Sequence, residues 1–196
     1  VHPVYSSVEW PQSQTWWRAN ILLDENGSAV GSDGTSRSLT SGRDRHLLRQ
    51  IRAEAELVVT GGETVRKEGW HFPPHGELIV LSSSGTLPVE SCPHPDRLTV
   101  VTDHDSLNQA ISESVATRIL CEGGPRLLRD LLSHRRIDEL FVSLLIPSET
   151  ASIDTIMSIV RSTLNVGTED FELMGVVFDP EIAFARFQRR RVINGS

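Results

Sequence analysis

Two glycine pairs, Gly61-Gly62 and Gly123-Gly124, each follow a short apolar run and precede a segment of helical character. Backbone without Cβ can come close to a phosphate, and the N-terminus of a following helix offers free N–H groups and partial positive charge. Gly123-Gly124-Pro125 is the stronger of the two, because proline at the first helical position is already set for a helix. Neither pair has the spacing of the dinucleotide fingerprint or of the nucleoside-triphosphate loop. Each pair alone fits a tight strand-to-helix turn equally well; two at equivalent places in one chain favour phosphate binding. Glu122 adjoins the second pair. A carboxylate there is either a solvated acid or a group that orients a substrate, and the residues alone leave both open.

The elements that must position these groups alternate between strand and helix. Ile21–Leu23 is an apolar run after Trp16 and Trp17. Ser41-Gly42-Arg43-Asp44 has the form of a helix start, with Leu47, Leu48, Ile51 and Ala55 following at helical spacing. Leu57–Thr60 is a buried strand, and Thr64 to Glu68 a short helix. Leu78–Leu81 and Leu98–Val101 are further strands, with a weakly amphipathic helix over Ser106–Ser114. Ile119–Cys121 is a strand; Leu127, Leu128, Leu131 and Leu132 form the buried face of the helix opened by Pro125. Leu140–Ile146 is an apolar run stopped by Pro147. Phe171–Phe178 and Ile182–Phe187 flank Asp179-Pro180-Glu181 as a closing antiparallel hairpin. Such alternation predicts an α/β fold of three α/β/α layers, with a mostly parallel central sheet and a C-terminal antiparallel hairpin.

The chain has 196 residues, 19 Lys plus Arg against 26 Asp plus Glu, and a net charge of −7. That length suits one domain, 16–196, after an N-terminal extension, 1–15. The acidic balance argues against a nucleic-acid partner, which requires a basic face, yet permits a local positive site. Two cysteines, Cys92 and Cys121, do not make a disulfide framework; Cys121 reads as a buried strand thiol. No apolar stretch reaches bilayer length, and Val1–Trp10 lacks the pattern of a signal peptide. A cytoplasmic enzyme or binding protein is the default expectation.

Other motifs carry less. His75-Gly76-Glu77 matches half of a zinc-deaminase site, but the paired cysteines are missing. His71, His75, His94 and His104 lack metal-ligand spacing, so no metal is expected. No nucleophile elbow is present. Arg189-Arg190-Arg191 reads as a solvated strand edge that discourages pairing.

Several blocks in order resemble the reductase domain of the riboflavin-biosynthesis deaminase–reductases and, more closely, the free-standing pyrimidine reductases of dihydrofolate-reductase-like fold. They are Arg18-Ala19-Asn20, Asp33-Gly34-x-Ser36, Leu48-x-x-Ile51-Arg52-Ala53, Gly61-x-x-Thr64-Val65-Arg66-x-Glu68, and Ile119-Leu120-Cys121-Glu122-Gly123-Gly124-Pro125-x-Leu127-Leu128. The resemblance spans Trp16 to Arg190, and its last block is the most specific.

The resemblance implies hydride transfer from NADPH to 5-amino-6-(5-phosphoribosylamino)uracil, and a homodimer. It assigns Gly61, Thr64, Gly123, Gly124 and Pro125 to the cofactor phosphates, and Ser82 and Ser83 to the adenosine 2′-phosphate. Asn20, Ser36, Arg66 and Glu122 fall to the pyrimidine or its phosphoribosyl arm, and Glu122 or a bound water is the candidate proton donor. Two segments depart from the family pattern. Asp24-Glu25-Asn26-Gly27 stands for Ser-Leu-Asp-Gly, and Glu63 stands where the family has glycine.

Overall fold

A computed structural model describes residues 10–11, 14–36, 39, 42–167 and 170–190. Eight strands form one sheet: β1 (Trp16–Asp24), β2 (Leu57–Gly61), β3 (Glu77–Leu81), β4 (Leu98–Val101), β5 (Arg118–Cys121), β6 (Glu139–Leu145), β7 (Phe171–Asp179) and β8 (Ile182–Arg189). Their order is β4-β3-β2-β5-β1-β6-β8-β7. The first six are mutually parallel, and β8 runs antiparallel to both β6 and β7. The α/β class with a mostly parallel sheet and an antiparallel C-terminal pair is therefore the fold adopted.

Among the described residues five α-helices cover the sheet: α1 (Gly42–Ala53), α2 (Gly62–Glu68), α3 (His104–Glu113), α4 (Pro125–Ser133) and α5 (Ile153–Leu164). Alternate residues of each strand point to opposite faces, so the sheet has two cores. Trp17, Ala19, Ile21 and Leu23 of β1 pack with the leucines of α4 and with Ile156, Val160 and Leu164 of α5. Leu22, Val58 and Leu120 pack on the other face with Leu47 and Ile51 of α1 and Val65 of α2. Burying each such side chain contributes about 2 kcal/mol. The central strands are consequently apolar on both faces, and little alternation shows in their sequence.

Helix α5 is an addition to what the sequence reading assigned. Its signals are local: Ser152 caps the N-terminus by accepting from Thr155 N at 3.1 Å, and Asn165 ends the helix in the left-handed conformation at φ 54°. Helix α3 also begins earlier than expected. Asp103 and Ser106 form a reciprocal capping box that places the first turn at His104. The Ser41 expected at the start of α1 lies outside the described residues.

The arginine run needs correcting. Strand β8 lies between β6 and β7, so Arg189 does not guard an edge; the edge strand on this side is β7. Arg191 lies outside the described residues. Part of the N-terminal extension also packs down: Trp10 is buried, with the Arg18 guanidinium 3.9 Å from its ring centroid. Arg18 and Arg186 both bind Glu139, each at 2.6 Å through Nε, so two cations share one buried carboxylate across β1, β6 and β8. Burial holds the Arg18 guanidinium below its usual pKa, against the pull of Glu139.

Candidate functional site

Strand β2 ends at Gly61, which caps α2 in extended backbone. The next glycine is the sterically demanding one. A Cβ on Gly62 would lie 2.5 Å from Ser82 Oγ and 2.6 Å from Ser82 Cβ, so only glycine lets α2 start this close to the end of β3. A Cβ on Gly61 would meet only Thr64 Oγ1, at 4.0 Å.

The second pair divides the same way. A Cβ on Gly123 would lie 2.5 Å from Leu127 Cδ2, so Gly123 serves the packing of α4. Gly124 caps α4 with no atom within 4 Å of a Cβ position, and Pro125 follows at the first helical position. Gly124 is thus the open approach to the N–H groups of a nine-residue helix.

Both turns border a cleft of about 1130 Å³ at the carboxyl ends of β2, β3, β4 and β5. Ligands of open parallel sheets bind in such a place. Gly61, Thr64, Arg66, Ser82, Ser83, Gly124 and Pro125 all line it. A second depression of about 520 Å³ is lined by α5 alone and gathers no convergent groups from other elements.

Arg66 turns toward the end of β3. Its Nη1 donates to Thr86 O at 3.0 Å and, more weakly, to Ser82 Oγ at 3.4 Å. It therefore stands with Ser82, one of the serines assigned to the cofactor. Glu63 sits on the rim with its side chain 74% exposed and pairs with Lys67 at 2.8 Å. The hydrogen bond from Lys67 holds the Glu63 carboxyl below its usual pKa. The negative charge in the glycine position is thus turned outward and partly neutralised.

Asn20, Ser36, Glu122 and Gly123 do not line the cleft. Glu122 accepts from Arg52 Nε at 2.9 and 3.1 Å and from Arg52 Nη2 at 2.7 Å. Both oxygens accept from Arg52, which fixes the position of the carboxylate beside the second glycine turn. Asn20 lies mid-strand on the α1 face, 8% exposed, and its Oδ1 has no hydrogen-bond partner. Ser36 is fixed to α2, its N–H donating to Glu68 Oε1 at 2.9 Å. Sequence reasoning missed Arg52 as the partner of Glu122; no local signal links residues 70 apart.

The Asp24–Gly27 departure forms a tight turn. Asp24 Oδ1 accepts from Asn26 N at 2.9 Å and Ser28 N at 2.7 Å, and Gly27 takes φ 79°. Gly76 of the His-x-Glu motif is a packing glycine, since a Cβ there would overlap Glu56 O. Among the described residues no three His, Cys, Asp or Glu side chains gather as metal ligands. No described helix is long and apolar enough to cross a membrane. Both cysteines are free, and burial pushes the Cys121 thiol up to about 12.

The chain is similar in structure to a pyrimidine reductase-like protein from Corynebacterium diphtheriae. Identity is 21%, the TM-score is 0.65, and the match covers 90% of this chain and 92% of that one. RibD from Acinetobacter baumannii matches at 18% identity and TM-score 0.69 over 91% of this chain, which spans only 59% of the length of RibD. A dihydrofolate reductase from Enterococcus faecalis, complexed with NADP(H) and RAB-propyl, matches at 16% identity and TM-score 0.61 over 91% of this chain and 98% of that one. No family model and no curated protein matches the chain. At these identities the likeness establishes the fold: it is that of the pyrimidine reductases and of dihydrofolate reductase.

Proposed function

We propose that the protein is an NADPH-dependent reductase of a phosphoribosylaminopyrimidine, acting as a 5-amino-6-(5-phosphoribosylamino)uracil reductase in riboflavin biosynthesis. The observation that carries this reading is the cleft itself, where two glycine turns, Ser82, Ser83 and Arg66 converge at the carboxyl ends of adjacent strands. A dinucleotide diphosphate suits this donor set. The space beside Gly124 is open, and the helix behind it presents unpaired N–H groups.

In this reading the turn at Gly124 and the helix from Pro125 hold the pyrophosphate, with Gly123 as the packing residue behind them. Gly61 and Thr64 face the same phosphates. Ser82, Ser83 and Arg66 grip the 2′-phosphate, a role that fits the fixed charge and planar fork of arginine. The nicotinamide supplies the hydride. Asn20 Oδ1, a buried acceptor without a partner, awaits a donor from the substrate, and Ser36 follows Gly34 and Thr35, which line the cleft. Glu122, held by Arg52, orients the substrate or relays a proton to it. A homodimer in the cytoplasm completes the reading.

One observation favours a second reading, a related reductase with another substrate. The end of β1 and the turn after it carry Asp24 and Glu25 in place of uncharged residues. The test is NADPH titration followed by nicotinamide fluorescence, then turnover with the phosphoribosylaminopyrimidine. Binding with pyrimidine-dependent oxidation supports the first reading. Binding without it supports the second, and no binding at millimolar NADPH rejects both.

A further inference from the structure

The cleft reaches past the glycine turns to the ends of β3 and β4, where Ser82, Thr102, Asp103 and His104 line it. Ser82 N donates to Val101 O at 2.8 Å, so the two strand ends are tied together here. Helix α4 reaches the same place through Asp130, which also lines the cleft.

Two contacts fix the His104 ring. Asp130 Oδ2 lies 2.7 Å from His104 Nε2, an ion-pair distance without the alignment of a hydrogen bond. His134, the residue that ends α4, stacks on the ring with centroids 5.6 Å apart and planes 15° from parallel. His134 is itself anchored, its Nδ1 donating to Asp130 O at 2.9 Å. His134 does not line the cleft, whereas His104 does and keeps 42% of its side chain exposed. The His104 ring is thus backed by a second imidazole on its outer face and open toward the cleft. A planar ring held in this way is a stacking surface, and aromatic pairs at such separations attract one another.

Charge decides which part of a ligand suits this end. The carboxylates of Asp103 and Asp130 lie beside the ring, and they repel a phosphate. A neutral purine meets no such repulsion. Asp103 is in addition occupied as a helix cap, accepting from Ser106 N at 2.8 Å. The phosphate-binding groups, Arg66 and Ser82, stand together at the end of the neighbouring strand β3. In NADPH the 2′-phosphate and the base share one ribose. A phosphate at Ser82 therefore leaves its base within reach of the end of β4, about 5 Å away across the sheet.

We propose that His104 is the base-recognising residue of the cleft, a stacking platform for the adenine that is backed by His134 and fixed by Asp130. This rests on the dinucleotide reading of the cleft and adds to it the residue that receives the base. Stacking on a ring face tolerates replacement of one aromatic ring by another, whereas recognition through a ring nitrogen does not.

The test is calorimetric titration of the protein with NADPH and with adenosine 2′,5′-bisphosphate, which carries the base and its phosphates without the nicotinamide. His104→Ala should weaken both about tenfold, and His104→Phe should restore them to within about twofold. Upfield shifts of the adenine proton resonances on binding should persist in the Phe variant and vanish in the Ala variant. If the bisphosphate binds His104→Ala as tightly as the parent protein, or His104→Phe as weakly as His104→Ala, the stacking role is overturned and the reductase reading stands. If neither ligand binds the parent protein at millimolar concentration, the dinucleotide reading falls and the platform with it.

Discussion

Arg52 of α1 holds Glu122 at the end of β5 through one edge of its guanidinium, Nε to Oε1 at 2.9 Å and Nη2 to Oε2 at 2.7 Å. The side chains are 17% and 8% exposed, so the pair is largely withdrawn from water. It ties α1 to the strand that precedes the second glycine turn, and it sets the position of the carboxylate most central to the proposed chemistry.

Replacing Glu122 by Gln keeps the shape and leaves Arg52 without its counter-charge. Stability in urea should fall by about 1–2 kcal/mol. Cofactor affinity should hold, because neither residue lines the cleft, while pyrimidine-dependent turnover should drop. A loss of NADPH binding in this variant would place Glu122 at the cofactor instead.

The two types of glycine should respond oppositely to alanine. Gly62→Ala forces a Cβ to within 2.5 Å of Ser82 Oγ, and should cost about 1–3 kcal/mol in thermal unfolding. Gly124→Ala meets no neighbour within 4 Å and should leave the melting temperature nearly unchanged. Its effect should appear in fluorescence titration as about tenfold weaker NADPH binding, from lost close approach to the phosphate.

Arg66→Ala separates the two phosphates of the proposed reaction. If the guanidinium serves the 2′-phosphate beside Ser82, NADPH affinity should fall about tenfold while NADH affinity barely changes. An equal loss for both cofactors would return Arg66 to another role.

Asp44 lies 3% exposed in the first turn of α1, and burial raises its pKa, partly offset by the Ser143 hydroxyl. A carboxyl group whose folded pKa is raised stabilises the fold in its protonated form. That contribution is complete below the unfolded value of about 4 and is lost as pH rises through the folded value. Asp44→Asn should therefore gain stability relative to the wild type as pH increases from about 4 toward neutrality. Urea midpoints across that range give the comparison.

Thiol titration with a chromogenic disulfide should find one reactive cysteine per native chain and two in denaturant. Cys121 is fully buried, and its thiolate is disfavoured with a pKa near 12, whereas Cys92 is partly exposed.

Much of the fold was legible because its signals are local. The Leu57–Thr60 and Ile119–Cys121 runs, the leucines after Pro125 and the hairpin around Asp179-Pro180-Glu181 announce their own elements through periodicity and turn chemistry. Helix α5 was readable by the same rule, from Ser152 and the spacing of Ile156, Val160 and Leu164. The glycine turns and the serines after β3 could likewise be assigned to one cleft, because strand ends of a parallel sheet gather on one side.

What the sequence alone determined is the alternation that makes a parallel sheet with two apolar faces and an antiparallel close, together with the residue types at its turns. The tertiary structure decided how those residues are used. It made Gly62 and Gly123 packing residues and left Gly124 open. It gave Glu122 to Arg52, turned Arg66 toward Ser82, and moved Arg189 from a supposed edge to the floor of a cleft. Such pairings depend on strand order and register, through which side chains distant in sequence meet, and no local pattern encodes that meeting.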